Sequence, residues 1–367
     1  MHTAKSVIYL DSAATEKLRP EARAAVLAAL ECDGNPSSIH GPGRAARKLL
    51  EQSRAAVAAS VGAAPAELVF CSGGTEANAM AIAGLSAGRR VVIGATEHDA
   101  VRAAAPGAVI LPVGSDGVVR LEALEAALRS QAPALVCLML ANNETGVLHP
   151  VAEAASICRA HGALLHVDAV QAAGRIAVDI GALGADSLTL SGHKHGGPKG
   201  VGALVLAPGL HLPALIAGGG QERGRRGGTP ALPAIAGFAA VAELKSPAGL
   251  AALRDRVEQA AIQCGAIVCG ATAPRLHNIT SLALPGVKAE TQVIALDLAG
   301  IAVSAGAACS SGKVTESHVL AAMGLGPLAG CAIRVSLPWS ATEDDADAFI
   351  AAYAALAGRL TRTLSAA

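Results

Sequence analysis

The sequence lacks the features that mark proteins that bind nucleic acid. Aromatic residues make up only 2% of its 367 residues, and its 29 Lys and Arg are balanced by 29 Asp and Glu. Binding to nucleic acid uses a basic surface together with aromatic rings that stack on bases. We therefore expect no nucleic-acid partner.

Signals for membranes, disulfides and zinc are missing as well. The amino-terminal residues contain no apolar segment of the kind found in signal peptides, and the longest uncharged span, 200–221, is interrupted by Pro208, Gly209 and Pro213. The eight cysteines form no C-x-x-C pair, which argues against a disulfide framework and against a zinc site. We expect a cytoplasmic protein without membrane partner or metal, with most cysteines in the core.

The chain does carry the alternation expected of an α/β fold. Hydrophobic residues make up 52% of the sequence and charged residues 16%, which is enough to bury a large core. Short apolar runs alternate with Ala-rich stretches of helical length, such as 43–60 and 121–129. This pattern predicts a mostly parallel sheet covered by helices on both faces. The predicted strands lie at 67–72, 90–95, 134–140, 163–169, 187–191 and 202–207.

A second unit is expected after the alternation ends near Pro233. A long Ala-rich helical stretch follows it, and a terminal helix begins with Thr342 and Asp345 at the spacing of a capping box. We predict a large domain at 15–245 and a smaller α+β domain at 246–367. The segment 1–14 is expected to pack near the smaller domain.

Polar residues follow almost every predicted strand of the large domain. In an open α/β sheet, ligands bind at the carboxyl ends of the strands. Each such residue alone has an ordinary interpretation as a loop or capping residue, but five strand ends that agree indicate one shared site. The residues at these strand ends are Gly74 and Thr75, His98, Asn143, Asp168 and Gln171, and Lys194.

Together these side chains suit pyridoxal 5'-phosphate (PLP). An enzyme that uses this cofactor needs a lysine that holds it covalently, a carboxylate that faces the pyridine nitrogen, and a cup for the phosphate. Lys194, Asp168 and the glycine turn that ends at Thr75 supply these groups, and His98 is suited to cover the face of the ring. The sequence therefore predicts a PLP site.

Lys194 lies in the segment "SGHKHGGPKG", directly after an apolar run. Its neighbours His193 and His195 are expected to act as cations that lower the pKa of Lys194 toward that of a reactive neutral amine. The alternative, a surface lysine in a basic loop, does not explain the apolar strand that precedes it.

Nine segments spread over nearly the whole chain fit one known family. They include "YLDSAAT", "FCSGGTEAN", "EHDAV", "NNETGVLHP", "HVDAVQAAGR", "GGGQERGRRGGT" and "SAGAACSS". In this order they resemble the motifs of cysteine desulfurases, PLP-dependent transferases of the class V aminotransferase superfamily. The resemblance implies fold type I, with a large PLP-binding domain and a smaller carboxyl-terminal one. It also implies conversion of L-cysteine into L-alanine, with the sulfur left as a persulfide on an enzyme cysteine.

The resemblance also implies a role for each candidate residue. Lys194 would hold the cofactor and later move the α-proton of the substrate, while His98 would stack on the ring and handle protons at the leaving sulfur. Asp168 would pair with the pyridinium nitrogen and Gln171 with the ring oxygen. The remaining cofactor contacts would come from Gly74, Thr75, Asn143, Ser191 and His193.

Three further residues complete the implied site. Cys309 would be the nucleophile that receives sulfur, and the small polar residues around it do not fit a buried inert thiol. Arg334 would bind the substrate carboxylate through two hydrogen bonds, with help from Asn143. Thr229 would reach the phosphate of a neighbouring subunit, which implies a homodimer. The segment around Cys309 resembles that of the nitrogen-fixation and iron–sulfur-assembly subgroup, whose sulfur acceptor would be a protein such as an iron–sulfur scaffold.

Several positions depart from the usual pattern of the family. They are Ser12, Cys71, His195, Gly227, Ala307 and Pro338. None of them removes a required functional group. Pro338 fixes the backbone close to Arg334, so the substrate preference stays open.

Two alternatives accompany this interpretation. A selenocysteine lyase, or a related PLP-dependent β-lyase or aminotransferase, would use the same scaffold. A degenerate relative that serves as a non-catalytic binding subunit is a second possibility. The presence of Lys194, Asp168 and Cys309 argues against it.

Overall fold

The structure is a computed structural model that describes residues 7–129, 132–306 and 316–365, with side chains described as far as Arg359. These residues form twelve strands and twelve α-helices. The strands are β1 (Ile8–Tyr9), β2 (Leu68–Cys71), β3 (Arg90–Gly94), β4 (Val109–Leu111), β5 (Ala134–Met139), β6 (Leu164–Asp168), β7 (Ser187–Ser191), β8 (Gly202–Leu206), β9 (Ile267–Val268), β10 (Ile279–Ala283), β11 (Ile301–Ala302) and β12 (Ala332–Ser336). The helices are α1 (Pro20–Leu30), α2 (Gly41–Ala59), α3 (Gly74–Leu85), α4 (Asp99–Ala104), α5 (Leu121–Leu128), α6 (Val151–Ala160), α7 (Ile180–Leu183), α8 (Leu232–Ala239), α9 (Leu250–Gln263), α10 (Ala289–Leu298), α11 (His318–Ala322) and α12 (Glu343–Ser365).

A seven-stranded sheet, formed by strands β2 to β8, is the largest sheet of the described structure. Its strand order is β2-β8-β7-β6-β5-β3-β4. The strands from β7 to β4 run parallel to one another, whereas β8 is antiparallel to both of its neighbours. Strands such as β5 are buried on both faces, which is why they appear in the sequence as continuous apolar runs. The predicted α/β fold with a mostly parallel sheet is confirmed.

The helical predictions are confirmed in part. The stretches 43–60 and 121–129 correspond to α2 and α5. The long Ala-rich stretch after Pro233 is shorter than expected, because α8 ends at Ala239 and α9 begins only at Leu250. Between them the chain leaves the helix, and the backbone N–H of Ser246 donates to the carbonyl of Gly174 across 2.8 Å just before Pro247.

The carboxyl-terminal elements pack around a hydrophobic core of their own. It contains Leu10 from the amino-terminal segment together with residues between 250 and 357, among them the stacked rings of Phe349 and Tyr353. Here β10 pairs antiparallel with β9 and β12, and β1 pairs in parallel with β11. The division into domains at residue 245 stays a prediction.

The predicted capping box at the start of α12 is confirmed. The backbone N–H of Thr342 donates to Asp345 Oδ2 across 3.0 Å, and the N–H of Asp345 donates to Thr342 Oγ1 across 3.2 Å. Two donors at the helix start are thereby satisfied reciprocally.

Two features are absent from the described ranges 7–129, 132–306 and 316–365. No helix in these ranges is long and apolar enough to cross a membrane. No group of three His, Cys, Asp or Glu residues suited to a metal ion occurs there. Four of the cysteines are buried, namely Cys71, Cys137, Cys158 and Cys269.

Candidate active site

A cavity of about 550 Å³ lies at the carboxyl ends of the parallel strands. Ten of the twelve candidate residues line it, which are Gly74, Thr75, His98, Asn143, Asp168, Gln171, Ser191, His193, Lys194 and Arg334. Thr229 lines a separate cavity next to β2 instead. Cys309 lies outside the described residues. The strand-end argument therefore identified residues that meet in space.

Lys194 lies in a single 3₁₀ turn that directly follows β7. Its Nζ donates to the carbonyls of Ala13 and Ala14 across 2.6 and 2.9 Å. Burial, followed by the positive charges of Arg334 and Arg175, lowers the pKa of Lys194 to about 7. A neutral amine has two N–H groups, which match the two carbonyls. The nucleophilic form is therefore accessible near neutral pH.

The two histidines beside Lys194 do not act as the cations that the sequence suggested. Burial, the largest cause in each case, lowers the pKa of His193 to about 4 and that of His195 to about 4. His193 Nδ1 lies 3.1 Å from Thr15 Oγ1, and His195 Nε2 lies 2.7 Å from the carbonyl of Leu244. Both rings are therefore neutral at pH 7, and that part of the prediction is wrong. Burial and arginines lower the lysine pKa instead.

Asp168 ends β6 and is held by a chain of buried polar groups. Its Oδ1 accepts from the N–H of Val170 across 2.9 Å, and its Oδ2 accepts from Asn78 Nδ2 across 2.7 Å. Asn78 Oδ1 lies 2.9 Å from Nε2 of His166. The other ring nitrogen of His166, Nδ1, lies 2.8 Å from Ser187 Oγ. Because an amide oxygen only accepts, Nε2 carries the ring proton and Nδ1 accepts from the serine. Burial lowers the pKa of His166 to about 3, which keeps this ring neutral.

Another part of the cavity lining has the features of an anion site. The hydroxyl of Ser191 at the end of β7 is buried and has no hydrogen-bond partner within the described ranges. Helix α3 begins beside it, with Thr75 in its first turn, where backbone N–H groups have no partner inside the helix. A Cβ at Gly74 would lie 2.8 Å from Val170 Cγ2, so the close approach of helix α3 to the segment after β6 requires glycine here. The residues present therefore fit a phosphate group.

Gln171 and His98 also line the cavity. Gln171 Nε2 donates to the carbonyl of Ala13 across 2.9 Å, and its buried Oε1 has no partner in the part of the chain that is described. His98 caps α4, where its Nδ1 accepts from the N–H of Ala100 across 3.1 Å. Its proton is therefore on Nε2, the nitrogen left for a ligand.

Arg334 lies in β12, with its side chain only 4% exposed. Its Nη1 donates to the backbone carbonyl of Asn143 across 2.9 Å, and its Nη2 donates to Asp11 Oδ1 across 2.7 Å. Asn143 thus meets Arg334 through its backbone. The sequence analysis missed the roles of Asp11 and Asn78, although both lie in quoted motifs, "YLDSAAT" and "GGTEAN".

The glycine-rich loop before α8 is fastened to β2 and α3. Glu222 in this loop accepts from both Nη atoms of Arg54, across 2.6 and 2.8 Å, and also from the N–H of Phe70. Arg226 pairs with Glu76 across 2.7 Å. The loop ends at Thr229, which is exposed and is absent from the described lining of the Lys194 cavity.

Comparison with known proteins gives one family. The family described as "Aminotransferase class-V" matches residues 8–349. The chain is 43% identical to a cysteine desulfurase of Cereibacter sphaeroides over 93% of both chains, and 37% identical to an IscS-like cysteine desulfurase of Mycobacterium tuberculosis over 98% of both. Its fold matches a solved NifS-like protein from Rickettsia africae with a TM-score of 0.88 and 34% identity, over 95% of this chain and 98% of the other. On the strength of these matches, which span most of its length, the chain belongs to the class V aminotransferase family.

Proposed function

We propose that the protein is a PLP-dependent cysteine desulfurase that converts L-cysteine into L-alanine and leaves the sulfur on Cys309 as a persulfide. The observation that carries this proposal is the convergence of Lys194, Asp168 and Arg334 on one cavity. It occurs in a chain that is 37–43% identical to cysteine desulfurases over nearly its whole length.

Different residues of the cavity lining suit different parts of the cofactor. PLP, when bound, supplies an electron sink that weakens the bonds at the substrate α-carbon. Lys194 would attach to it, Asp168 would pair with its ring nitrogen, and Gln171 would contact its ring oxygen. Its phosphate would be held by the anion site, whose members are Gly74, Thr75, Ser191 and His193.

The reaction needs proton transfer and attack on sulfur. Lys194, as a neutral amine, would take the α-proton, while Arg334 and Asn143 hold the carboxylate end of the substrate. The thiolate of Cys309 would attack Sγ, and the Cβ–Sγ bond would break with its electrons left on carbon. A proton delivered to Cβ then completes the methyl group of alanine. His98 keeps Nε2 for proton exchange at the sulfur.

The proposal extends to assembly and to the sulfur acceptor. Thr229 would contact the phosphate in a second copy of the chain. Two observations support this role: Thr229 is exposed, and it is absent from the described lining of the Lys194 cavity in the same chain. The active form would be a cytoplasmic homodimer, and the persulfide on Cys309 would pass to an acceptor protein such as an iron–sulfur scaffold.

The test measures alanine and sulfide made from L-cysteine by the PLP-loaded protein. Cys309→Ala should retain the spectral change that L-cysteine causes but lose sulfur transfer by about a hundredfold or more. No persulfide should then be detected by mass spectrometry under non-reducing conditions. Cys331→Ala is the matched control, because its thiol lies against the carbonyl of Pro327 and has no proposed role.

Two outcomes would redirect the proposal. Near wild-type alanine production by Cys309→Ala would indicate a lyase that needs no protein nucleophile. Loss of cysteine turnover with retained selenocysteine turnover would leave the physiological substrate open. A protein that binds no PLP would overturn the cofactor assignment.

A further inference from the structure

Asp11 and Arg334 form an ion pair inside the cavity that contains Lys194. Arg334 Nη2 donates to Asp11 Oδ1 across 2.7 Å, and both residues line the cavity. The Arg334 side chain is 4% exposed and that of Asp11 is 20% exposed. The residue proposed to receive a substrate carboxylate is thus already bound to a carboxylate of the protein.

The backbone fixes this pair in place. The N–H of Ser12 donates to the carbonyl of Ser336 across 3.1 Å, and the N–H of Ser336 donates to the carbonyl of Leu10 across 2.8 Å. Asp11 is therefore held beside the end of β12, the strand that carries Arg334. The backbone hydrogen bonds thus hold the two side chains close together, so the ion pair is a feature of the fold.

The hydrogen bonds of Arg334 show how a ligand competes with Asp11. Nε and Nη2 lie on the same edge of a guanidinium group, and this edge matches the two oxygens of a carboxylate. Asp11 accepts from Nη2, while the buried Nε has no partner within the described ranges. A carboxylate that used both donors would gain one hydrogen bond over Asp11.

Displacement leaves Asp11 as a half-buried carboxylate without its cation, which is unfavourable. A ligand that also brings an ammonium group restores the balance, because that group replaces the guanidinium beside Asp11. We propose that Asp11 is a specificity-determining residue that favours α-amino acids over carboxylates without an amino group. This inference rests on the proposed function, since it takes Arg334 as the carboxylate site.

The test uses propionate and L-alanine, which differ only by the α-amino group. Both are titrated calorimetrically into the PLP-loaded wild type and Asp11→Asn after borohydride treatment, which makes the bond between Lys194 and the cofactor permanent, so that the amino group of L-alanine stays a free ammonium group. Propionate should bind the variant about tenfold more tightly, the order expected for one charge-assisted hydrogen bond, because it no longer competes with a charged group. L-alanine should change by less than about threefold, since it loses the ammonium contact as it gains free access to Arg334.

Three variants serve as controls. Asp11→Glu keeps the charge and should retain the wild-type preference. Asp347→Asn removes an exposed carboxylate that pairs with Arg256, and it should leave both affinities unchanged. Asp11→Ser provides a second neutral variant if circular dichroism shows that Asp11→Asn does not fold.

Equal changes for both ligands would overturn the inference, since they would indicate a purely structural role for Asp11. Unchanged propionate affinity in both neutral variants would also overturn it. Neither result would contradict the proposed function if the wild type still makes alanine from L-cysteine. A wild type that makes no alanine and binds no L-alanine would remove the proposed function, and this inference with it.

Discussion

Asn78 Nδ2 donates to Asp168 Oδ2 across 2.7 Å, which fixes one carboxylate oxygen while the other accepts from the backbone. Asn78 is held in turn by the neutral ring of His166, which donates from Nε2 to the amide oxygen of Asn78. Groups that carry no charge thereby hold this strand-end carboxylate in one orientation, at the position where the proposed function places a cationic ring nitrogen. The position of Asp168 thus depends on residues from three segments of the chain.

Asn78→Ala should destabilise the protein and weaken its hold on PLP. The change leaves Asp168 Oδ2 and His166 Nε2 without their partner, and losing a buried partner costs about 1–3 kcal/mol of unfolding free energy. Urea unfolding of the cofactor-free protein measures the loss. Asn35→Ala is the control, because Asn35 is exposed and its side chain accepts from the nearby N–H of Ser37. Equal effects of the two changes would contradict the role given to Asn78.

Lys194 should react as a neutral amine at an unusually low pH. Its pKa is lowered to about 7, so its labelling by acetic anhydride in the cofactor-free protein should rise through about pH 7 and then level off. A solvated lysine gains reactivity up to about pH 10. Peptide mass spectrometry measures the profile, with the exposed Lys48 as the internal reference. Arg334→Met removes a nearby positive charge and should move the profile of Lys194 to higher pH. A wild-type midpoint near pH 10 would refute the prediction.

Ser187 and Ser191 lie on the same strand and should respond oppositely to alanine. Ser191 Oγ is buried without a partner in the described structure, so Ser191→Ala should leave the unfolding free energy of the cofactor-free protein unchanged or raise it by about 1 kcal/mol. Ser187 Oγ bonds His166, so Ser187→Ala should lower that free energy by about 1–3 kcal/mol. Only Ser191→Ala should weaken the binding of inorganic phosphate directly. If both changes destabilise the protein equally, Ser191 is not an unfilled anion ligand.

The central strands were predictable because burial on both faces leaves a continuous apolar run, as in β5. The direction of β8 was open to prediction as well, although it was not predicted, because only residues 192–201 separate the predicted strands 187–191 and 202–207. That span is too short for the helical crossover that a parallel strand requires. The two-residue strands β1 and β11 carry no periodic pattern at all.

The site was predictable where a side chain follows a strand, as Asp168 and Lys194 do. It was not predictable where a distant segment supplies a backbone atom. Lys194 Nζ bonds to the carbonyls of Ala13 and Ala14, about 180 positions earlier in the chain, and a carbonyl is common to every residue type. The neutrality of His193 depends on burial, which only the tertiary structure sets.

The buried pair of Arg54 and Glu222 should be the ion pair whose loss is most destabilising among those described. Its side chains are 4% and 3% exposed, and both oxygens of Glu222 accept from the guanidinium. Glu222→Gln keeps an acceptor for the N–H of Phe70 but removes the buried partner of Arg54, whose remaining ionic partner is Glu51, 3.3 Å from Nε and 47% exposed. The unfolding free energy should fall by about 3–5 kcal/mol.

A double variant separates the charge from the packing. In Arg54→Met combined with Glu222→Gln no charge is left buried, so part of the lost stability should return. Asp347→Asn, which breaks the exposed pair with Arg256, should cost no more than about 1 kcal/mol. Denaturant unfolding of the four proteins gives these differences directly. Because Glu222 belongs to the loop that ends at Thr229, Glu222→Gln should also weaken the formation of the proposed dimer, measured by analytical ultracentrifugation. A fall of less than 1 kcal/mol for Glu222→Gln, with the dimer intact, would mean that the glycine-rich loop is held by its backbone rather than by this pair.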